Sequence, residues 1–205
     1  MRSLTAPAIA AQILLLSIQA ALYFGVQIFE GHVHDVYRKE DDKIPFIPSM
    51  VFIYVQWFPL IALFPLMLLY YSYSGYLWHM IALSLDILLS CTVYLLYPTS
   101  FARPNPGHSR SGRIMRFVYR ADFKGKNCMP SMHCSMCFLM ILSCAARTSH
   151  MPVPIEIGVI ILCCLIVAST VLTKQHVILD VVSGIGMAVL CRLIAGLVVR
   201  FGLTS

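Results

Sequence analysis

The stretch 154–199, PIEIGVIILCCLIVASTVLTKQHVILDVVSGIGMAVLCRLIAGLVV, decides the fold. It holds two apolar runs, 154–173 and 177–199, parted only by Lys174, Gln175 and His176; Glu156, Lys174, Asp180 and Arg192 are its charged residues. A helix needs roughly 20 mainly apolar residues to cross a hydrocarbon core, where backbone polar groups have to be satisfied within the segment itself. Each run meets that length, so the stretch predicts two membrane helices joined by a short polar turn. The same pattern recurs at 6–29, 47–71, 76–97 and 129–148. The expectation is an all-α polytopic membrane bundle of about six transmembrane helices, a single membrane domain over residues 1–205.

Composition agrees. With 59% hydrophobic and 12% charged residues, the chain falls outside the range of soluble domains. Its net charge of +6 comes mostly from the loops between spans and not from one soluble face. That points to phosphates or anionic lipid head groups as partners and away from nucleic acid. Of the eight cysteines, Cys91, Cys144, Cys163, Cys164 and Cys191 lie inside apolar runs, where cysteine acts as a small hydrophobe and not as part of a disulfide framework. Arg2 before an apolar run has the look of a signal peptide, but the run continues past a plausible signal core, so the first span is expected to be retained.

The polar residues concentrate in two loops, Glu30–Lys43 and Pro98–Cys128, whereas Ser72–Gly75 and Arg147–Pro152 are short. Six crossings put loops 30–46, 98–128 and 174–176 on one face. Three short patterns converge there: Arg103-Pro104 after the third span, Pro130-Ser131-Met132-His133 opening the fourth, and His176-x-x-x-Asp180 opening the sixth. Residues four apart share a helix face, so Asp180 is placed to take the Nδ1 proton of His176 and leave Nε2 as a nucleophile. Helix starts hold anions through unpaired N–H groups and a partial positive charge. Pro130 suits a first helical position, and Ser131 is then set to cradle phosphate oxygens. His133 is in reach of a leaving oxygen as general acid, and Arg103 can grip a phosphate bidentately.

These motifs, their order, and the stretch DKIPFIPSMVFIYVQWFP together resemble the type 2 phosphatidic acid phosphatase superfamily, the lipid phosphate phosphatases. Its three motifs read K-x6-RP, PSGH and SR-x5-H-x3-D. The resemblance implies that His176 forms a phosphohistidine, Asp180 orients it, His133 donates to the leaving group, and Arg103 and Ser131 hold phosphate, with no metal and no cofactor. Two positions depart from the pattern: Leu96 stands where the family has Lys, and Thr170 where it has its second Arg. Similar losses occur in the branch resembling sphingomyelin synthase and inositol phosphorylceramide synthase. Lys174, Arg116, Arg120, Lys124 or Lys126 are candidates to replace the charge, Lys174 foremost as a phosphate-binding residue. Three functions stay open: lipid phosphate phosphatase first, lipid head-group phosphotransferase second, and a non-enzymatic scaffold or transporter third.

Other features receive plainer readings. Cys128, Cys134 and Cys137 beside His133 lack a second ligand pair for zinc. His32 and His34 with Glu30 and Asp35 read as a solvated loop. Met129, Met132, Met136 and Met140 recur at helical spacing, a packing pattern. Ser183, Gly184 and Gly186 suggest close helix approach. Asp86 and Arg192, about 16 and 18 Å below the polar face at 1.5 Å per residue, are expected to pair, since a charge at that depth is costly alone. Orientation draws two opposed expectations. The polar face carries most of the Lys and Arg, against Arg2, Arg147 and Arg200 opposite, which favours a cytoplasmic site. The resemblance implies a non-cytoplasmic one, and phosphate-holding cations inflate the count, so the non-cytoplasmic side is the expectation kept.

Overall fold

The computed structural model describes residues 6–29, 31–122, 125–146 and 149–202; Arg2, Glu30, Lys124 and Arg147 lie outside them. Long helices α1 (Ala6–Val26), α3 (Trp57–Tyr71), α4 (Tyr73–Leu96), α7 (Val153–Leu172) and α8 (Ile178–Gly202) alternate with shorter ones, α2 (Val51–Tyr54), α5 (Arg110–Ala121) and α6 (Met132–Ala145). Five segments are long and apolar enough to cross a membrane: Ile9–Val26, Pro48–Tyr71, Tyr73–Leu96, Val153–Leu172 and Ile178–Arg200. The chain is an all-α integral membrane protein.

The sixth expected span is shorter than 129–148 suggested. Helix α6 has 14 residues, about 21 Å at 1.5 Å per residue. Ser131 caps it, so residues 129–131 are a non-helical approach. A short helix is tolerable here because α6 is central: Cys134, Met136, Cys137, Leu139 and Met140 are all buried among its neighbours, and protein, not lipid, surrounds its backbone. Met132, Met136 and Met140 pack into the main core, as the helical spacing predicts.

Lipid is as apolar as a leucine side chain, so helices in a bilayer associate chiefly by close packing of small residues. Ala82 of α4, Leu139 of α6 and Ala188, Cys191 and Ala195 of α8 form such a seam. Gly184 brings α8 close against the start of α6: a Cβ there would lie 2.6 Å from the Ser131 carbonyl oxygen. Gly186 has open space instead, and Ser183 bonds back to the Asp180 carbonyl within its own helix, so only Gly184 bears out the close-approach expectation.

The expected Asp86–Arg192 pair does not form. Asp86 accepts from Ser135 Oγ at 2.7 Å and Ser90 Oγ at 3.5 Å. The Arg192 guanidinium lies 4.3 Å from the Trp78 ring centroid. Equal depth fails to make a pair because the two side chains leave their helices toward different neighbours: hydroxyls serve the carboxylate, and a ring face serves the cation.

At the polar end the three loops join, as six crossings require. A two-residue parallel pairing sets β1 (His34–Asp35) beside β2 (Thr99–Ser100). Met129 N–H donates to Thr99 Oγ1 at 2.8 Å, and Ser100 Oγ donates to the Gly125 carbonyl at 2.7 Å. Tyr119 donates to the Thr173 carbonyl, fastening α5 to the turn between α7 and α8. His34 is half-buried and stacks on the exposed Tyr97 at 3.9 Å, while His32 and Asp35 stay exposed, in keeping with a solvated loop.

Candidate active site

Two helix starts and one loop residue build the site. Ser131 is the N-cap of α6: its Oγ accepts from Cys134 N–H at 3.3 Å, the standard device for satisfying a first-turn donor. Pro130 therefore precedes the cap and is not the first helical residue; Tyr94 Oη donates to its carbonyl. Ser131 N–H donates to the Asp180 carbonyl at 3.1 Å, tying the start of α6 directly to α8. Ser131 itself is fully buried between the two helices.

Helix α8 starts at Ile178, so His176 lies in the turn ahead of it. The His176–Asp180 contact is thus made by a side chain reaching back across a helix start, and not by two residues on one helical face. Asp180 Oδ2 lies 3.2 Å from His176 Nδ1 and also accepts Val177 N–H at 3.1 Å, as the reciprocal half of a capping box does. This contact favours the tautomer with its proton on Nδ1, leaving Nε2 a lone pair.

Across the cavity His133 stands in the first turn of α6, its ring centroid 5.5 Å from that of His176. Trp57 and Tyr54 hold it, at 4.2 and 4.7 Å. They reach it because Pro59, lacking an N–H, interrupts the helix between α2 and α3; Phe58 N–H bonds to the Val55 carbonyl instead. His133 Nε2 is buried and carries no hydrogen bond.

Arg103 joins these residues in lining an apolar cavity of about 650 Å³, which runs between α1, α3 and α5. Its Nη2 donates to Asp122 Oδ2 at 2.5 Å, and Tyr119 lies beneath it, 5.2 Å from guanidinium to ring centroid. Burial pulls the guanidinium down most strongly, but the charge and hydrogen bond of Asp122, together with Cys128 and Tyr23, outweigh it, so its pKa stands above the ordinary arginine value. Lys174 lies apart from the histidines: its Nζ donates to the Asp41 carbonyl at 2.7 Å. It lines a second, open pocket of about 490 Å³ with Tyr37, Asp42, Pro104 and Arg103.

Four of the six sequence-derived residues therefore meet around one cavity or directly behind it: His176, Asp180, His133 and Arg103. Ser131 serves as a cap, and Lys174 faces the neighbouring pocket. Sequence reasoning missed Asp41, Asp122 and Gln175. Asp41 is buried and accepts Ile178 N–H at 2.9 Å, capping α8 from far away in the chain. Asp122 is the one acid between Pro98 and Cys128, amid seven Lys and Arg, and that isolation was its signal. Among the described residues no His, Cys, Asp or Glu cluster is arranged as a metal site.

The family comparison falls on these same elements: the PAP2 superfamily matches residues 75–202, from the start of α4 through α8. The chain belongs to the PAP2 superfamily. The matched region contains Arg103, Ser131, His133, Lys174, His176 and Asp180, and leaves out α1 and the loop carrying Asp41. This PAP2 chain matches no curated protein and no solved structure. Membership supports phosphatase or phosphotransferase activity on lipid phosphates in general.

Proposed function

We propose that this PAP2 protein is a metal-independent lipid phosphohydrolase working through a phosphohistidine at His176. The observation that carries the reading is His176 backed by Asp180 at 3.2 Å on one side and facing His133 across a lipid-sized apolar cavity on the other. In this reading Nε2 of His176 attacks phosphorus and the P–O bond to the lipid breaks. His133 gives its proton to the departing alkoxide. Water, deprotonated by His133, then attacks phosphorus and the N–P bond breaks. Arg103 and the α6 start stabilise charge on the phosphoryl oxygens, and Asp180 stabilises the imidazole as it becomes cationic.

A second reading, phosphotransfer to a lipid alcohol, is favoured by the lost cations. Leu96 is exposed on the outside of α4, and Thr170 is buried with its hydroxyl on the Val167 carbonyl. His176→Ala is expected to lower turnover of phospholipids by purified protein on the order of 10⁴-fold; a variant that inserts normally and turns over like wild type overturns the proposal. Adding a ceramide or a diacylglycerol separates the acceptors, since a new phospholipid product marks transfer. The site is proposed to open on the non-cytoplasmic side, which labelling of single cysteines placed in loop 98–128 by a membrane-impermeant reagent tests.

A further inference from the structure

We infer that the site takes a phosphodiester, a lipid phosphate with one negative charge and a second polar substituent, and that Asp122 sets this choice. The inference rests on the phosphoryl-transfer reading above and narrows its substrate.

Shape supplies the first argument. Arg103 lines both cavities, the apolar one shared with His133 and His176 and the open pocket with Tyr37, Asp42, Pro104 and Lys174. A phosphorus held at Arg103 therefore has room on two sides, hydrocarbon on one and a polar surface on the other. A monoester has one substituent and leaves the polar pocket without use; a diester fills both.

Charge supplies the second argument. Among the described residues lining the apolar cavity, Arg103 is the one Lys or Arg and Asp122 the one carboxylate. Asp122 is anchored, not passing: Tyr23 Oη of α1 donates to its Oδ1 at 2.8 Å and Gln27 Nε2, just past the end of α1, at 3.4 Å, while Arg103 holds Oδ2. Neither Lys174 nor Arg116 lines this cavity: they donate to the Asp41 and Gly107 carbonyls, and Lys174 belongs to the open pocket. The unpartnered donors in the lining are neutral: the Gln175 amide, 3% exposed, with Nε2 buried, and the buried indole N–H of Trp57. A phosphate monoester brings roughly 1.5 to 2 negative charges at neutral pH. In a poorly hydrated cavity whose single guanidinium is already neutralised, that excess is unfavourable, whereas one charge shared between Arg103 and the Gln175 amide is not.

The chemistry balances. His176 Nε2 bonds to phosphorus, the P–O bond to the glycerolipid breaks, and that oxygen takes a proton from His133. The head group stays on phosphorus in the open pocket until a water or alcohol oxygen displaces His176 and gives its proton to His133.

Purified full-length protein in detergent is offered dioctanoyl phosphatidic acid against dioctanoyl phosphatidylglycerol and phosphatidylcholine, and kcat/KM is compared. The better diester is expected to exceed phosphatidic acid by tenfold or more. Asp122→Asn is expected to shift that ratio tenfold toward phosphatidic acid, and Asp42→Asn, at an exposed side chain that leaves folding intact, to lower it threefold or more. A smaller wild-type preference, or a ratio that neither substitution moves, overturns the inference. The same preference is read by thermal stabilisation of His176→Ala protein, which binds without turnover. If His176→Ala proves fully active, the mechanism falls while the binding ratio still decides the substrate class.

Discussion

The starts of α6 and α8 meet at the site, yet they are built in opposite ways. Helix α6 caps itself with Ser131, whose hydroxyl takes the Cys134 amide three residues on. Helix α8 is closed from two sides, by Asp180 reaching back to Val177 and by Asp41 reaching in from a loop before α2 to take Ile178 N–H. The self-capped start presents His133, the proposed general acid, in its first turn. The start capped from afar holds His176, the proposed nucleophile, in a turn, so its position depends on a loop that is remote in sequence.

That difference can be broken where the two starts touch. Gly184→Ala puts a methyl 2.6 Å from the Ser131 carbonyl. Backbone cannot give as a side chain can, so the starts are pushed apart, lowering stability by about 1–3 kcal/mol and turnover on the order of 10²-fold. Steady-state kinetics and thermal unfolding check both; a fully active variant shows that the helix spacing does not set the geometry.

Next in size, Asp41→Ala removes the acceptor of two amides, Ile178 N–H at 2.9 Å and Arg38 N–H at 2.9 Å. A loss of about 1–3 kcal/mol is expected for two part-buried donors left without their acceptor, with kcat falling because His176 loses its frame. Ser131→Ala should cost less, about 1 kcal/mol for one cap. Thermal melts of the two variants side by side sharpen the comparison, and equal losses would erase the distinction between the two starts.

The smallest effect is an absence of coupling deeper in the bundle. Asp86 belongs to the Ser135 network that continues from the α6 start, and Arg192 belongs to Trp78 further along α8. Asp86→Asn and Arg192→Gln should each destabilise, yet their double mutant should be additive within about 0.5 kcal/mol. A larger interaction energy restores the ion pair.

Much of this was readable in one dimension. Runs of apolar residues in spanning lengths fix a membrane helix, because lipid offers the backbone no other partner. Spacing and parity then put Arg103, His133, His176 and Asp180 on one face. Helix ends were less legible: α6 is shorter than its apolar run, since Ser131 took the cap and Pro130 fell outside, and hydrophobicity does not register where a cap forms.

By itself, then, the sequence determined the bundle, the shared face and four residues around the cavity, all consequences of local composition and counting. Only the tertiary structure decided that Asp122 neutralises Arg103, that Lys174 serves the Asp41 carbonyl, and that Asp86 and Arg192 go separate ways. Which of several nearby opposite charges or hydroxyls a polar group meets depends on distances of a few ångströms between segments far apart in the chain, and no local pattern encodes them.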